Sequence, residues 1–219
     1  MKWILLLLPI ITFSQEVYYE NLKELSEAKQ KESVRAKIDS LHDSELCIYF
    51  KKLKEHNIAL TPFTMLVISR AHSVNSEGSL YCITELLIEM DIDPVPLEKT
   101  LYFKKNIWDK GEWSQKFWKL IRTHKLLVPE DEFYTVDENG NKHYKLNEYI
   151  ADKVSKGELG KNPLLETDYS LLEYTSDQLP ETLSKLDIQD LQVVPKSKST
   201  GLFGKRGVDG MLKVLTRNK

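Results

Sequence analysis

The chain has 219 residues, 41% hydrophobic and 29% charged, with a formal net charge of −2. That length allows one large domain or two small ones, and the balanced charge supplies no overall field to attract nucleic acid or an anionic membrane. Two cysteines, Cys47 and Cys82, are too few for a disulfide scaffold or a structural zinc site.

The first residues, Met1-Lys2-Trp3, lead into the apolar run Ile4 to Ile11, which closes at Thr12-Phe13-Ser14 before Gln15. A basic start, a short apolar stretch and small residues at the cut predict a cleavable export signal over 1–14. The run is shorter than the roughly 20 apolar residues that a membrane helix needs, and no later stretch reaches that length. No cysteine follows it to carry a lipid anchor. The chain is expected to be exported, in the periplasm or associated with the outer membrane, with no transmembrane segment after cleavage.

From Val17 to about Lys54, Leu22, Leu25, Ala28, Val34, Ile38 and Leu41 recur at helical intervals, which predicts one or two amphipathic helices. A faint internal repeat follows. A shift of about 34 residues carries Leu46 to Leu80, Tyr49 to Ile83, Leu53 to Leu87, Pro62 to Pro96 and Val67 to Leu101. A second shift carries Ile83 to Phe117 and Leu87 to Ile121. The matched prolines suit the first turn of a helix. The period is that of a helix–turn–helix unit, and the stretch from about Leu46 to Val128 resembles tetratricopeptide (TPR-like) or pentatricopeptide-type repeats. Helices are expected near 44–56, 62–73, 79–91, 95–107 and 112–126, as a stack of hairpins over 15–130.

Within the repeat, Cys47 aligns with Tyr81, and Cys82 with Ile48. Equivalent places in adjacent repeats stand on the order of 10 Å apart, whereas a disulfide needs α-carbons within about 7 Å. The alignment argues against the thiols meeting, although export would permit a bridge. Trp108, Trp113, Phe117 and Trp118 form an aromatic group that reads either as core between the last helices or as an exposed patch for a peptide or glycan.

Phe133–Val136 and His143–Leu146 flank Asp137-Glu138-Asn139-Gly140-Asn141, a strong hairpin signal because Asn-Gly accepts positive φ. Asn147 is expected to cap a helix over 148–154. The glycine-spaced stretch Ser155–Pro163 marks a boundary, so that 131–162 is hairpin and linker. Beyond it, Leu164, Leu165, Leu171 and Leu172 read as extended. Ser176 or Asp177 caps a short helix with Pro180 in its first turn, carrying Leu179, Leu183 and Leu186. Leu191–Val194 and Met211–Thr216 read as strands.

Between those strands stand Leu202-Phe203-Gly204-Lys205-Arg206-Gly207-Val208-Asp209-Gly210. With Ile188, Leu191, Val193, Met211, Leu212, Val214 and Thr216, they resemble the second half of the plug domain of TonB-dependent outer-membrane receptors. That family carries "I-x-x-I-x-V-L-K", then "L-Y-G-x-R-G-x-x-G-V-I-x-I-x-T". The signal ending in Phe-Ser-Gln is similar to those common in Bacteroidetes. The resemblance implies a plug-like α/β unit over 163–219, with Phe203, Gly204, Arg206, Gly207 and Gly210 as its binding motif. Glycines let the chain reverse sharply, and Arg206 is suited to fasten the turn to carboxylates or carbonyls. Two departures stand out. Tyr169 follows Asp168 where the family has glycine, and the chain stops at Lys219 where the family continues into a barrel, so no pore of its own is expected.

The glycine spacing fits neither a dinucleotide fingerprint nor a phosphate loop. Seven basic residues, Lys196, Lys198, Lys205, Arg206, Lys213, Arg217 and Lys219, read as a solvated tail or as a surface for an acidic partner or anionic lipid. His42, His56, His72, His124 and His143 show no paired ligand spacing. Cys47 near His42-Asp43 reads better as a small buried hydrophobe than as a nucleophile, and Glu85 and Glu89 as an exposed helix edge. The expected fold class is α+β: a TPR-like helical stack, then a hairpin and a plug-like unit. The expected function is a non-catalytic cell-envelope interaction protein without metal or cofactor, its partner another envelope protein such as an outer-membrane receptor. The alternative is a ligand-binding module built on the aromatic group.

Overall fold

The computed structural model describes residues 17–175 and 178–217. The export signal expected at 1–14 and the cap expected at Ser176 or Asp177 lie outside the described residues. The fold is mixed α+β, with helices mainly in the N-terminal half and strands in the C-terminal half.

The chain forms two compact units, Met1–Ile107 and Trp108–Lys219. The sequence placed the end of the helical part near residue 130. Trp108 moves the division: its ring packs on Phe117 and Trp118 at centroid distances of 5.0 and 5.2 Å, so the last long helix goes with the C-terminal unit.

In the first unit a helix over 17–24 (α1) is followed by α2 (Glu27–Ser40), α3 (Asp43–Glu55), α4 (Thr64–Ser73), α5 (Glu77–Glu89) and α6 (Pro94–Phe103). Three helices thus occupy 17–55 where one or two were expected. The extra break falls at Ser26, whose backbone leaves the helical region and beside which Gln30 Nε2 donates to the Leu22 carbonyl at 3.0 Å. This break turns Leu25 and Ala28 to solvent, against the periodic reading. The repeat-matched residues behave as core: Leu46, Tyr49, Leu53, Val67, Leu80, Ile83, Leu87 and Leu101 are buried. Burying a side chain of this class stabilises by about 1.5–3 kcal/mol, which holds such short helices together.

The second unit begins within the short helix α7 (Lys105–Trp108) and continues through α8 (Gly111–Thr123) to a two-stranded hairpin, β1 (Tyr134–Val136) and β2 (Lys142–Tyr144). Helix α9 (Leu146–Ser155) follows; its N-cap is Lys145, without a side-chain bond, so Asn147 lies inside the helix and does not cap it. A four-stranded sheet has the order β4-β3-β6-β5, built from β3 (Leu164–Thr167), β4 (Ser170–Leu172), β5 (Ile188–Val194) and β6 (Met211–Thr216). Strand β6 is parallel to β3 and antiparallel to β5. Helix α10 (Leu179–Ser184) contributes Leu179 and Leu183 to a core with Leu165, Leu191, Leu212 and Val214. Helix α11 (Lys196–Phe203) joins β5 to the glycine-rich turn.

Candidate interaction surface

The glycine-rich turn is a built corner. Helix α11 ends at Gly204, whose φ is +57°, and one 3₁₀ turn, Gly204–Gly207, leads through Val208 and Asp209 to Gly210 at φ +81°. Gly207 lies against the α11 backbone, where an added Cβ would collide with the Ser199 carbonyl and stand 2.7 Å from Ser199 Oγ. At Gly210 it would stand 2.8 Å from the Glu158 carbonyl oxygen and 2.9 Å from Leu159. Gly207 is thus required by close backbone approach, and Gly210 by close approach as well as by its positive φ.

Arg206 does not fasten this turn. It stands exposed, and the closing bonds are Gly210 N–H to the Gly207 carbonyl at 3.0 Å and Thr200 Oγ1 to the same carbonyl at 3.3 Å. Asp209 anchors the corner to the preceding loop: its carbonyl accepts from Gly160 N at 2.8 Å and its carboxylate from Asn162 N at 3.0 Å. Asp168 ties the β3–β4 turn to β6, accepting from Thr216 N at 3.0 Å and Thr216 Oγ1 at 2.6 Å.

What the corner presents outward is a small mixed surface. Leu202 is 63% exposed and Val208 52%; Gly204, Lys205 and Arg206 are exposed between them, and Phe203 is half-buried. The expected basic tail is partly neutralised, because Lys213 pairs with Glu166 at 2.9 Å and Arg217 with Asp187.

The aromatic group does not form an exposed patch. Trp108, Phe117 and Trp118 are fully buried, and Trp113 is half-buried with Lys116 Nζ 4.4 Å over its ring. Amphipathic α8 turns Phe117 and Trp118 inward, and Trp108 from α7 packs on both, so these rings are core.

A polar cluster that sequence reading missed lies in the same unit. Lys142, Asp109 and Asp190 are all nearly inaccessible. Lys142 Nζ reaches Asp109 Oδ1 at 2.8 Å, the Asp109 carbonyl at 3.1 Å and Asp190 Oδ1 at 3.7 Å, and lies 4.7 Å from the Tyr134 ring centroid. Asp109 also accepts from Ser114 Oγ at 2.7 Å, Trp118 Nε1 at 2.8 Å and the Tyr134 hydroxyl. Asp190 accepts from Gly111 N at 2.8 Å, Gln192 Nε2 at 2.7 Å and the Tyr144 hydroxyl at 3.2 Å. Burial and the Asp109 carboxylate push the Tyr134 phenol far above its ordinary value; burial and Asp190 do the same to Tyr144. Each carboxylate oxygen here accepts at least one bond, and the ammonium sits against two Asp109 oxygens with Asp190 Oδ1 farther off, the arrangement of a structural tie.

Two signals pointed to this cluster. The hairpin register pairs Tyr134 with Tyr144 and Val136 with Lys142, so alternation already places Lys142 on the tyrosine face. Asp190 sits in an apolar strand, and an irregularity between Ile188 and Asp190 turns it inward beside Leu191.

In the first unit, Glu89 pairs with Lys54 at 2.6 Å and Glu85 bonds Tyr81, so neither is a free carboxylate of a pair. Cys47 Sγ donates to the Ser79 carbonyl at 3.8 Å and lines one cavity with Cys82; His42 is not its partner. Among the described residues no group of three or more His, Cys, Asp or Glu side chains is placed to hold a metal ion, and no helix is long and apolar enough to cross a membrane. No family model matches the chain, and no curated protein or solved structure is significantly similar to it.

Proposed function

We propose that this is an exported, non-catalytic interaction protein of the cell envelope that binds another envelope protein through its plug-like corner. The observation that carries the reading is the exposed tip, Leu202, Lys205, Arg206 and Val208, held on buried Gly207 and Gly210. A rigid turn with apolar side chains flanking a cationic pair suits recognition of a partner with an apolar contact and an acidic rim. The order β5, α11, glycine turn, β6 supports the plug-like reading, and the basic start with the apolar run Ile4 to Ile11 supports export. The saturated Lys142–Asp109–Asp190 cluster supports a binding role, since its groups are committed to one another.

The first unit is read as TPR-like. In support, α3 packs on α5 and α4 on both α5 and α6, and Lys54 meets Glu89 at an offset of 35 residues, close to the repeat length.

The test places a photo-crosslinking residue at Leu202 or Val208 in the expressed full chain, with Glu181 as an exposed control. We expect one discrete crosslinked partner from the two tip positions, lost in the Lys205→Glu/Arg206→Glu double variant. The same species from Glu181, or none from the tip, would refute the proposal. Export is checked separately by the mature N-terminus, expected at Gln15.

A further inference from the structure

Cys47 lies in the second turn of α3 and Cys82 in the second turn of α5. The repeat alignment set them one residue out of equivalence and therefore apart. The structure brings them together, and the one-residue offset is the reason. When two like helices pack side by side in the same direction, equivalent residues point the same way and cannot face each other. Facing positions come from neighbouring faces, about 100° of helical rotation away, which one residue supplies. Lys54 and Glu89 show the same offset of 35 and meet at 2.6 Å.

Both thiols are free and half-buried, and each is the largest influence on the other's titration. They share an open cavity of about 510 Å³ with Asp43, Ile48, Ser76 and Gly78 on its walls. A buried structural cysteine has neither a second sulfur in reach nor a path to solvent; this pair has both.

We propose that Cys47 and Cys82 are a dithiol site that closes to a disulfide by exchange with a small disulfide entering this cavity. The neighbouring Cys82 thiol draws the Cys47 thiol below its ordinary value, against burial and the nearby Asp43 carboxylate, while Cys47, burial, Glu85 and Glu89 push the Cys82 thiol above its own. The exchange rate follows the thiolate fraction of the attacking sulfur. Cys47 thiolate attacks one sulfur of the small disulfide, forming a mixed disulfide and releasing one small thiolate. Cys82 then gives its proton to that thiolate, and its sulfur attacks Cys47 sulfur, expelling the second small thiolate. Two protein thiols are oxidised, and one small disulfide is reduced to two thiols. The product pins α3 to α5. This site stands in the helical unit and does not rest on the plug-like reading of the tail.

The test treats the reduced full chain with oxidised glutathione and follows intact mass, maleimide labelling and melting. We expect loss of two hydrogens with no retained glutathione, protection of both cysteines, and a melting point higher by about 5 °C that reductant reverses. The Cys82→Ser and Cys47→Ser variants should each stop at a single glutathione adduct on the remaining cysteine. Alanine variants, checked for unchanged helicity by circular dichroism, guard against a folding effect of serine. A wild type that carries two adducts or keeps both thiols free would overturn the proposal.

Discussion

Lys142 Nζ stands 2.8 Å from Asp109 Oδ1, with both side chains more than nine-tenths buried. The contact joins β2 of the hairpin to the link between α7 and α8, and Asp190 brings β5 to the same ammonium. Removing one member of a buried ion pair leaves the other charge without compensation. Lys142→Met should destabilise the chain by about 3–5 kcal/mol, read as a lowered urea midpoint with the helical circular dichroism of the folded baseline retained. A loss under about 1 kcal/mol would mean the cluster is wetter than its geometry.

The glycines of the corner differ in what they permit. Gly207→Ala forces a Cβ into the Ser199 backbone, and the expected loss is about 2–3 kcal/mol, since overpacking against backbone has no side chain to yield. Gly201, inside α11, has open space around its missing Cβ. Gly201→Ala should therefore stabilise by about 0.5–1 kcal/mol. Thermal melts of the two variants should move in opposite directions.

Asp137 organises the hairpin turn. Its carboxylate accepts from Asn139 N at 2.8 Å, Asn141 N at 2.9 Å and Asn141 Nδ2 at 2.9 Å, with His143 Nε2 at 3.2 Å. Burial raises its pKa, but the bonds from Asn141, His143 and Asn139 outweigh it and hold the carboxyl at about 2, below the ordinary 3.8. A depressed carboxylate contributes stability that is complete above 3.8 and lost as pH falls through about 2. The side chain is one-third exposed, so the screened contribution is about 1 kcal/mol. The stability gap between the wild type and Asp137→Ala should close over that window and stay constant above pH 5 or so. A gap that persists unchanged below pH 2 would contradict the assignment.

Tyr169 has a φ of +67°, directly after Asp168 at +47°. The two-residue loop between Thr167 and Ser170 needs positive φ at both central positions, which glycine takes without steric cost. Tyr169→Gly should stabilise by about 0.5–1 kcal/mol, measured as a raised denaturant midpoint. A fall in stability would mean that contacts of the tyrosine ring outweigh its backbone strain.

The sequence by itself determined the local elements. The helices expected at 44–56, 62–73, 79–91, 95–107 and 112–126 stand at Asp43–Glu55, Thr64–Ser73, Glu77–Glu89, Pro94–Phe103 and Gly111–Thr123. The hairpin, β6 and the short helix after Pro180 were legible for the same reason, since periodicity and turn chemistry act over a few residues. Only the tertiary structure decided which of these elements share a core. Trp108 crossed the expected boundary because its partners lie on α8; Asp190 turned inward through an irregularity in its strand; Cys47 found Cys82 because helix rotation, and not repeat alignment, sets which residues face. Each depends on residues distant in the chain, where a shift of one position changes the face a side chain points to.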